Sequence, residues 1–284
     1  MIKFHDIDLM RKKSAAVKRS GLSIGLVPTM GSLHPGHVSL IRRARAECDF
    51  LVVSIFVNPA QFAPNEDFDN YPRDMAGDEA ICAREGADAV FVPDADDMYD
   101  PEHSVYVDEQ DISQGLCGAS RPGHFRGVLT VVAKLFNIVD PDVAIFGEKD
   151  IQQLRLIQKM AHDLNFPVKI LAGRTLREDD GLALSSRNRY LSDAERNKAL
   201  RLHEALEAAR SMIESGERDS ARILKKMNAI IKPDSDVRPD YLECVDYHTL
   251  RRVNVISGKT VVALAVKVGR TRLIDNVVAE PPNG

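Results

Sequence analysis

The fold of this chain is decided by one stretch, Gly25-Leu26-Val27-Pro28-Thr29-Met30-Gly31-Ser32-Leu33-His34-Pro35-Gly36-His37. It begins as a short apolar run, breaks into a turn rich in proline and glycine, and ends on two histidines before an amphipathic segment, Val38 to Glu47. This order predicts a strand, a loop and a helix. The first turn of a helix has unpaired N–H groups and a partial positive charge, so the stretch predicts an anion site.

The two histidines strengthen that prediction. His34 and His37 are three residues apart, which places their imidazoles on one side of a helical turn. Gly31 and Gly36 allow a ligand to approach the backbone closely. A metal pair is a second interpretation, but two histidines without a nearby third ligand make a poor zinc site. The stretch matches neither the Gly-x-Gly-x-x-Gly pattern nor a Walker A loop, so it supports neither a dinucleotide fold nor a P-loop ATPase.

Apolar runs on both sides of this stretch predict the rest of a sheet. The nearly continuous run from Phe50 to Val57 is typical of a parallel strand buried on both faces. Further strands are predicted at 89–92, 105–107, 143–146 and 168–171, and helices at 9–19, 38–47, 74–85, 128–139 and from 147–150 to about 164. Alternating strands and helices predict an α/β fold with a Rossmann-like, doubly wound parallel sheet.

After Arg174 the pattern changes. Ser192 is predicted to cap a helix over Ala194 to Glu214, with Glu195 at the third helical position. A second helix is predicted over 220–231, and strands over 240–245, 261–268 and 273–275. We therefore predict two domains, a Rossmann-like domain over residues 1–174 and a smaller C-terminal α+β domain over residues 175–284.

Composition excludes several classes of protein. The 38 Lys and Arg against 42 Asp and Glu give a net charge of −4, which implies no broad attraction to nucleic acid or membrane. The longest apolar runs fall short of a membrane span, and the N-terminus has no apolar signal region. Four scattered cysteines without a Cys-x-x-Cys pair predict reduced, mostly buried thiols in a cytoplasmic protein.

Two cationic segments are candidates for phosphate binding. Lys149 follows a predicted strand at a helix start, where a compact and mobile charge suits a phosphate. Ser185-Ser186-Arg187 offers two hydroxyls and a guanidinium on a predicted loop, a plausible clamp for a triphosphate. Either segment taken alone is also common on protein surfaces.

Other residues are candidates for a substrate pocket. Gln61 follows a strand at its carboxyl end, outside which ligands bind in open α/β sheets. Met30 and Val131 could line the apolar side of such a pocket, although core packing is the commoner role for Val131. Asp74 and Asp78 are the first candidates among many carboxylates for holding Mg²⁺, whose ligands the sequence leaves open.

Four separated motifs resemble the pantothenate synthetase (pantoate–β-alanine ligase) family of the His-x-Gly-His nucleotidylyltransferase superfamily. Pro28 to His37 carries the first signature, with Pro35 at a position that is more often acidic in the family. Phe146 to Gln153 closely matches the second signature. Val57 to Gln61 and Ser185 to Arg187 provide the other two, so the resemblance covers nearly the whole chain.

The resemblance implies an activity. It predicts ATP-dependent condensation of (R)-pantoate with β-alanine through a pantoyl adenylate, with release of AMP and pyrophosphate. It also implies Mg²⁺ with the ATP, a homodimer, and a C-terminal domain that acts as a lid. His34, His37 and Lys149 would be catalytic, with His37 as a proton donor. The implied ATP-binding residues are Met30, Gly31, His34, His37, Gly147, Lys149, Asp150, Leu176, Leu184, Ser185, Ser186 and Arg187, and the implied substrate-binding residues are Gln61, Gln153, Met30 and Val131.

Three other functions are compatible with the first motif. A nucleotidylyltransferase that leaves the nucleotide on a phosphorylated acceptor would use the same histidines, but the contexts of Gln61 and Gln153 argue against it. A nucleotide-binding sensor would bind ATP without turnover. A class I aminoacyl-tRNA synthetase shares this type of motif, but the sequence shows no basic RNA-binding extension.

Overall fold

The computed structural model describes residues 1–63, 68–69 and 71–282. The chain divides into two compact units. The first unit comprises residues 1–110, 121–148 and 153–174, and the second comprises residues 111–120, 149–152 and 175–284. The sequence analysis assigned residues 111–120 and 149–152 to the first domain, because nothing in their local pattern marks them as parts of the second unit.

The strands and helices of the described residues have the following bounds. The strands are β1 Ile2–Phe4, β2 Ile24–Thr29, β3 Phe50–Ile55, β4 Ala89–Phe91, β5 Val143–Gly147, β6 Lys169–Gly173, β7 Val237–Asp246, β8 Thr260–Val268 and β9 Thr271–Ala279. The helices are α1 Ile7–Arg19, α2 Pro35–Arg45, α3 Met75–Arg84, α4 Ala95–Met98, α5 Leu116–Ser120, α6 His124–Val139, α7 Ile151–Asp163, α8 Asp193–Glu214 and α9 Ser220–Ile231.

The first unit is built on a parallel sheet with the strand order β1-β4-β3-β2-β5-β6. Every residue of β3 is buried, as expected for a strand covered on both faces. The order runs outward from β2 through β3 and β4, then returns to β5 on the other side of β2. The topological switch point therefore lies between β2 and β5, and ligands of doubly wound sheets bind outside the carboxyl ends of the strands there. The predicted Rossmann-like fold is confirmed.

Helix α2 begins at Pro35, three residues before its predicted start. Proline suits the first helical position, since its missing N–H needs no partner there and its φ is already helical. Helix α6 likewise begins before its prediction, at His124, and its β-branched residues are helical because they are buried.

The predicted strand at Val105–Val107 is wrong. Among the described residues they form no strand pairing, and the Val107 N–H donates instead to Thr130 Oγ1 at 3.0 Å. Val105 is 78% exposed, so this β-branched residue does not mark a buried strand. A local pattern of two valines cannot distinguish a loop segment from a sheet strand.

The second unit contains an antiparallel sheet of three strands in the order β7-β8-β9. Its core joins this sheet to α8 and α9 through buried side chains such as Leu206, Ile223 and Val262. Ser192 caps α8 as predicted, and its hydroxyl and the Glu195 carboxylate make the reciprocal bonds of a capping box. Strand β9 is much longer than the predicted 273–275. The smaller α+β fold is confirmed.

The four cysteines are all free, and three of them are buried. Burial raises the pKa of the Cys82 and Cys244 thiols to about 12, because a thiolate would lose its hydration there. In the described part of the chain, no helix combines the length and the apolar character needed to cross a bilayer.

Candidate active site

The backbone after β2 turns through two consecutive left-handed residues. Gly31 has φ +80° and Ser32 has φ +52°. The Thr29 hydroxyl accepts the Gly31 N–H at 3.2 Å and donates to the Ser54 carbonyl of β3 at 2.8 Å. The turn is thereby attached to the adjacent strand and directs the chain into α2.

His34 and His37 form the N-terminal cap of α2. Nδ1 of His34 accepts the Gly36 N–H at 3.1 Å, and Nδ1 of His37 accepts the His34 N–H at 3.3 Å. The two ring centroids are 4.1 Å apart. Because each Nδ1 acts as an acceptor, each neutral ring carries its proton on Nε2, an assignment that rests on these hydrogen bonds. The pair can therefore present two Nε2–H donors beside a helix N-terminus, which suits an anionic ligand.

Asp78 and Asp74 have structural partners at the same end of the sheet. The Asp78 carboxylate is buried and accepts the N–H groups of Ser32 at 2.8 Å and Leu33 at 2.7 Å. Asp74 caps α3 by accepting the Gly77 N–H at 3.0 Å. Within residues 1–63, 68–69 and 71–282, no three or more His, Cys, Asp and Glu side chains are arranged to hold a metal ion. Sequence reasoning missed the bonds from Asp78 to the turn because they join residues 45 and 46 positions apart.

Gln61 and Met30 are in contact in the first unit. The Gln61 amide nitrogen lies 2.9 Å from the Met30 sulfur, and its amide oxygen accepts the Asn58 side-chain N–H at 3.1 Å. Asn58 is itself buried and accepts the Tyr99 hydroxyl at 2.8 Å. This network fixes the direction of the Gln61 amide. Asn58 was not selected from the sequence, although Asn-Pro directly after a buried strand marks a capped turn.

Helix α6 supports the turn that carries Gln61. A Cβ at Gly127 would lie 2.2 Å from the Ala60 carbonyl oxygen, so the two backbones approach more closely than any side chain allows. Val131 is buried one helical turn further along the same face. This position is compatible both with core packing and with the predicted pocket.

The basic stretch between Arg121 and Gly127 also contacts this turn. His124 Nδ1 lies 2.8 Å from the Gln61 carbonyl oxygen, and His124 Nε2 lies 2.9 Å from Arg121 Nη1. A guanidinium only donates, so Nε2 accepts and the Nδ1–H donates to Gln61. The contact orients the Gln61 turn.

Gln152 and Gln153 have different environments on α7. Gln153, the predicted substrate-binding residue, is partly buried. Gln152 is buried in the second unit, where its side chain donates to the carbonyls of Ile112 at 2.8 Å and Gly115 at 2.9 Å, and accepts the Cys117 N–H at 3.0 Å. These bonds explain why residues 111–120 and 149–152 belong to one unit. The sequence offered no signal that separates the two glutamines.

Lys149 lies in a 3₁₀ turn, Glu148–Asp150, directly before α7. Its ammonium is 3.8 Å from the Asp150 carboxylate, and its carbonyl accepts the Asn276 side-chain N–H at 2.9 Å. Asn276 lies on β9 and is buried, so the second sheet holds the Lys149 backbone. The carboxylate that pairs with the Lys149 ammonium is that of Asp150, and it is partly exposed.

Leu176 and Leu184 face each other across a short hairpin. The Leu184 N–H donates to the Leu176 carbonyl at 3.0 Å, and Arg177 forms an ion pair with the buried Asp275 at 2.6 Å. Leu176 is 39% exposed, so an apolar surface remains available at this position. These contacts attach residues 176–184 to the second unit.

The Ser185-Ser186-Arg187 segment begins a 3₁₀ turn that runs from Ser186 to Tyr190. The Ser185 hydroxyl caps this turn by accepting the Arg187 N–H at 3.3 Å. Asn188 secures the turn, because its amide donates to the Glu178 carboxylate at 2.7 Å and the Ala183 carbonyl at 3.0 Å. The two serines and the arginine therefore stand on a braced turn.

The predicted site residues are divided between the two units. Met30 and Gln61 are in contact, His34 and His37 are in contact, and Leu176 and Leu184 are paired. The first unit contains Met30, Gly31, His34, His37, Gln61, Val131, Gly147 and Gln153, and the second contains Lys149, Asp150, Leu176, Leu184, Ser185, Ser186 and Arg187.

A family model described as pantoate-beta-alanine ligase matches residues 2–278. The chain belongs to the pantoate–β-alanine ligase family. The predicted resemblance is confirmed, and the chain is an enzyme of the AMP-forming ligase class.

Similar proteins and solved structures support the assignment to the pantoate–β-alanine ligase family. Pantothenate synthetase of Moorella thermoacetica is 53% identical over 274 residues, covering 96% of this chain and 97% of that protein. The crystal structure of pantothenate synthetase from Thermus thermophilus superposes with a TM-score of 0.91 at 42% identity, covering 98% of this chain and 99% of that one. A Francisella tularensis pantoate-beta-alanine ligase, complexed with beta-gamma ATP and beta-alanine, superposes with a TM-score of 0.79 at 34% identity, covering 98% and 97% of the two chains.

Pro35, which lies between the two histidines, leaves their geometry intact. It occupies the first helical position of α2, while His34 and His37 make the capping bonds on either side of it. A proline fits there because no backbone N–H is required.

Proposed function

We propose that this protein condenses (R)-pantoate with β-alanine, using ATP and forming a pantoyl adenylate. The observation that carries the proposal is the juxtaposition, in one ligase fold, of the capped histidine pair with the Met30–Gln61 contact. The Francisella tularensis relative was crystallised in complex with beta-gamma ATP and beta-alanine, which supports ATP and β-alanine as ligands of this chain.

The first step joins pantoate to the nucleotide. The pantoate carboxylate is ionised at neutral pH and is already a nucleophile, so the site needs no strong base. Its oxygen attacks the α-phosphorus, an O–P bond forms, and pyrophosphate leaves. The protein must align the reactants and neutralise the developing negative charge. The Nε2–H groups of His34 and His37 and the N-terminus of α2 are suited to that role.

Lys149 and the Ser185-Ser186-Arg187 turn supply further groups for the triphosphate. Lys149 offers a mobile ammonium, and Arg187 a forked donor that matches phosphate oxygens. Since these residues belong to the second unit, we propose that this unit acts as a lid that brings them to the nucleotide.

Mg²⁺ enters this scheme with ATP. The ion favours phosphate oxygens and water over an all-protein cage. When bound, it neutralises phosphate charge.

The second step forms the product. The β-alanine amine attacks the carbonyl carbon of the pantoyl adenylate, a C–N bond forms, and AMP leaves with the oxygen that linked it to the acyl group. The amine loses a proton. Gln61, Gln153, Met30 and Val131 are proposed to hold pantoate, and exclusion of water protects the adenylate from hydrolysis. A homodimer in the cytoplasm is proposed with this function, by analogy with the family.

Isotope exchange and product analysis test the proposal. With ATP, Mg²⁺ and pantoate, but no β-alanine, labelled pyrophosphate should exchange into ATP, and omission of pantoate or chelation of Mg²⁺ should stop it. With β-alanine, mass spectrometry should find AMP and pantothenate in equal amounts. A nucleotidylated acceptor would identify a nucleotidylyltransferase, and ATP binding without turnover would identify a sensor. Either result would overturn the proposal.

A further inference from the structure

The turn that presents the two histidines is held in an unfavourable backbone conformation. Ser32 has φ +52°, which L-residues rarely adopt, and it follows Gly31 at φ +80°. Such a conformation persists only where surrounding contacts determine it. The relevant contacts therefore decide where α2 begins and where the imidazoles of His34 and His37 lie.

The Asp78 carboxylate makes the contacts that fit this requirement. Its Oδ2 accepts the Ser32 N–H at 2.8 Å and its Oδ1 accepts the Leu33 N–H at 2.7 Å. The residue is 3% exposed and lies in the first turn of α3. A Cβ on Gly31 would come within 2.8 Å of Asp78 Oδ2, so the carboxylate packs directly against the turn.

The buried Asp78 carboxylate acts as a template for the turn, which means that its two oxygens fix the positions of the Ser32 and Leu33 N–H groups. Burying a charge is unfavourable unless hydrogen bonds replace its hydration, and bonds from N–H groups to a carboxylate are short and strong. In the observed turn two adjacent N–H groups point at this one carboxylate, so both bonds favour that shape. The template thus fixes the turn immediately before His34.

We infer that Asp78 is a positioning residue for the adenylation step. It sets the Gly31–Leu33 turn so that His34 and His37 direct their Nε2–H groups at the phosphates, and it reaches the reaction only through them. The catalytic part of this inference rests on the proposed function, whereas the template itself does not. The competing role for Asp78 is that of a direct ligand for Mg²⁺.

Asp78→Asn tests the inference with little change in shape. The amide keeps one acceptor but directs an NH₂ group at the other backbone N–H. Asp142→Asn is the matched control, because the Asp142 carboxylate accepts the Ile24 N–H at 2.7 Å at the opposite end of β2. We expect Asp78→Asn to lower kcat for pantoate-dependent pyrophosphate exchange about 100-fold, the scale expected for small misplacements of reacting groups. The KM for ATP should change much less, and Asp142→Asn should retain the wild-type rate.

Two further measurements separate the alternatives. Titration with Mg²⁺ should give the same half-activating concentration for Asp78→Asn and wild type, and the ring signals of His34 and His37 should shift in the variant without any ligand. Recovery of the rate at high Mg²⁺ would overturn the inference and assign Asp78 to the metal. A wild-type rate in Asp78→Asn would also overturn it.

Hydrogen exchange of the wild-type protein provides a test that needs no folded variant and no activity. The Ser32 and Leu33 amides should exchange as slowly as amides in the middle of β2. Exchange as fast as in an exposed loop would refute the template. Absence of pyrophosphate exchange in the wild type would refute the proposed function instead. The hydrogen-exchange measurement and the histidine ring signals would still test whether Asp78 shapes the turn.

Discussion

The Gln61 side-chain nitrogen lies 2.9 Å from the Met30 sulfur. Met30 follows β2 and Gln61 lies in the turn after β3, so this contact joins the carboxyl ends of two neighbouring strands. It places an amide and an apolar thioether side by side, a combination of polar and apolar groups that is typical of small-molecule pockets.

Replacing Gln61 by leucine should weaken pantoate binding selectively. The leucine preserves volume but removes the acceptor for Asn58 and the polar contact offered to a ligand. We expect KM for pantoate to rise at least tenfold, in line with about 1–3 kcal/mol for an unmade buried hydrogen bond. KM for ATP should stay within about twofold, the smallest change that we would regard as selective. Gln110→Leu, at an exposed position, is the control, and equal effects on both substrates would contradict the assignment.

Variants that keep the helix cap should separate the chemistry of the histidines from their structural role. Asparagine is a good N-cap, and glutamine can complete a capping box, so His34→Asn and His37→Gln retain bonds of this type. We expect each to lose about 2–4 kcal/mol of transition-state stabilisation for adenylate formation, measured as kcat/KM. Thermal unfolding should change little. Unaltered kcat/KM in both folded variants would exclude a catalytic role for the rings.

Arg187→Ala should raise KM for ATP. A lost hydrogen bond to a charged group corresponds to about 1.5–3 kcal/mol, or about 10- to 150-fold in affinity. The natural comparison is Arg189→Ala, at an exposed position on the same 3₁₀ turn. Similar losses in the two variants would mean that the turn binds ATP by general charge rather than through Arg187.

Gly127→Ala should distort the Gln61 turn. The new Cβ would lie 2.2 Å from the Ala60 carbonyl oxygen, so the backbone must move. We expect a loss of about 1–3 kcal/mol in the free energy of unfolding, together with weaker pantoate binding. Gly115→Ala meets no atom within 4 Å and serves as the control in a denaturant titration. An unchanged denaturation midpoint for Gly127→Ala would show that the turn can move without a loss in the free energy of unfolding.

Acid should remove the contribution of Asp49 to stability. Hydrogen bonds from the Ser23 hydroxyl and N–H hold the pKa of this carboxyl below its ordinary value of 3.8. Because the folded pKa is the lower one, the stabilisation is present above pH 3.8 and disappears as the pH falls through the folded value. Wild type should therefore exceed Asp49→Asn in unfolding free energy at about pH 6, and the difference should vanish in strong acid. A difference that is independent of pH would disprove the linkage.

Most of the fold could be predicted from the sequence, because in most strands and helices the local sequence pattern agrees with the burial seen in the structure. The run at Phe50–Val57 is apolar throughout most of its length, and Ser192 with Glu195 forms the capping box that its spacing predicts. The strand predicted at Val105–Val107 failed because pairing in a sheet depends on distant partners. Strand β1 and most of β9 were missed. Strand β1 has only three residues, and the apolar and polar residues of β9 do not alternate regularly, so neither strand has a clear periodicity of two.

The same distinction applies to the candidate site. Residues within a motif, such as His34 and His37, could be selected from spacing and family resemblance. The contacts that hold such residues could not be predicted, because Asp78, Asn58 and Gln152 bind partners far along the chain. Long-range hydrogen bonds to backbone groups leave no local pattern.

The assignment of residues 111–120 and 149–152 to the second unit has a consequence for protein engineering. The polypeptide enters and leaves that unit repeatedly before Thr175, so no single cut yields two complete modules. A fragment ending at Arg174 would keep Lys149 and Cys117 but lose their hydrogen-bond partners. Asn276 is the partner of the Lys149 carbonyl, and the Tyr241 hydroxyl is the partner of the Cys117 thiol. Exchange of C-terminal halves between homologues should therefore succeed only when both short segments are transplanted with them.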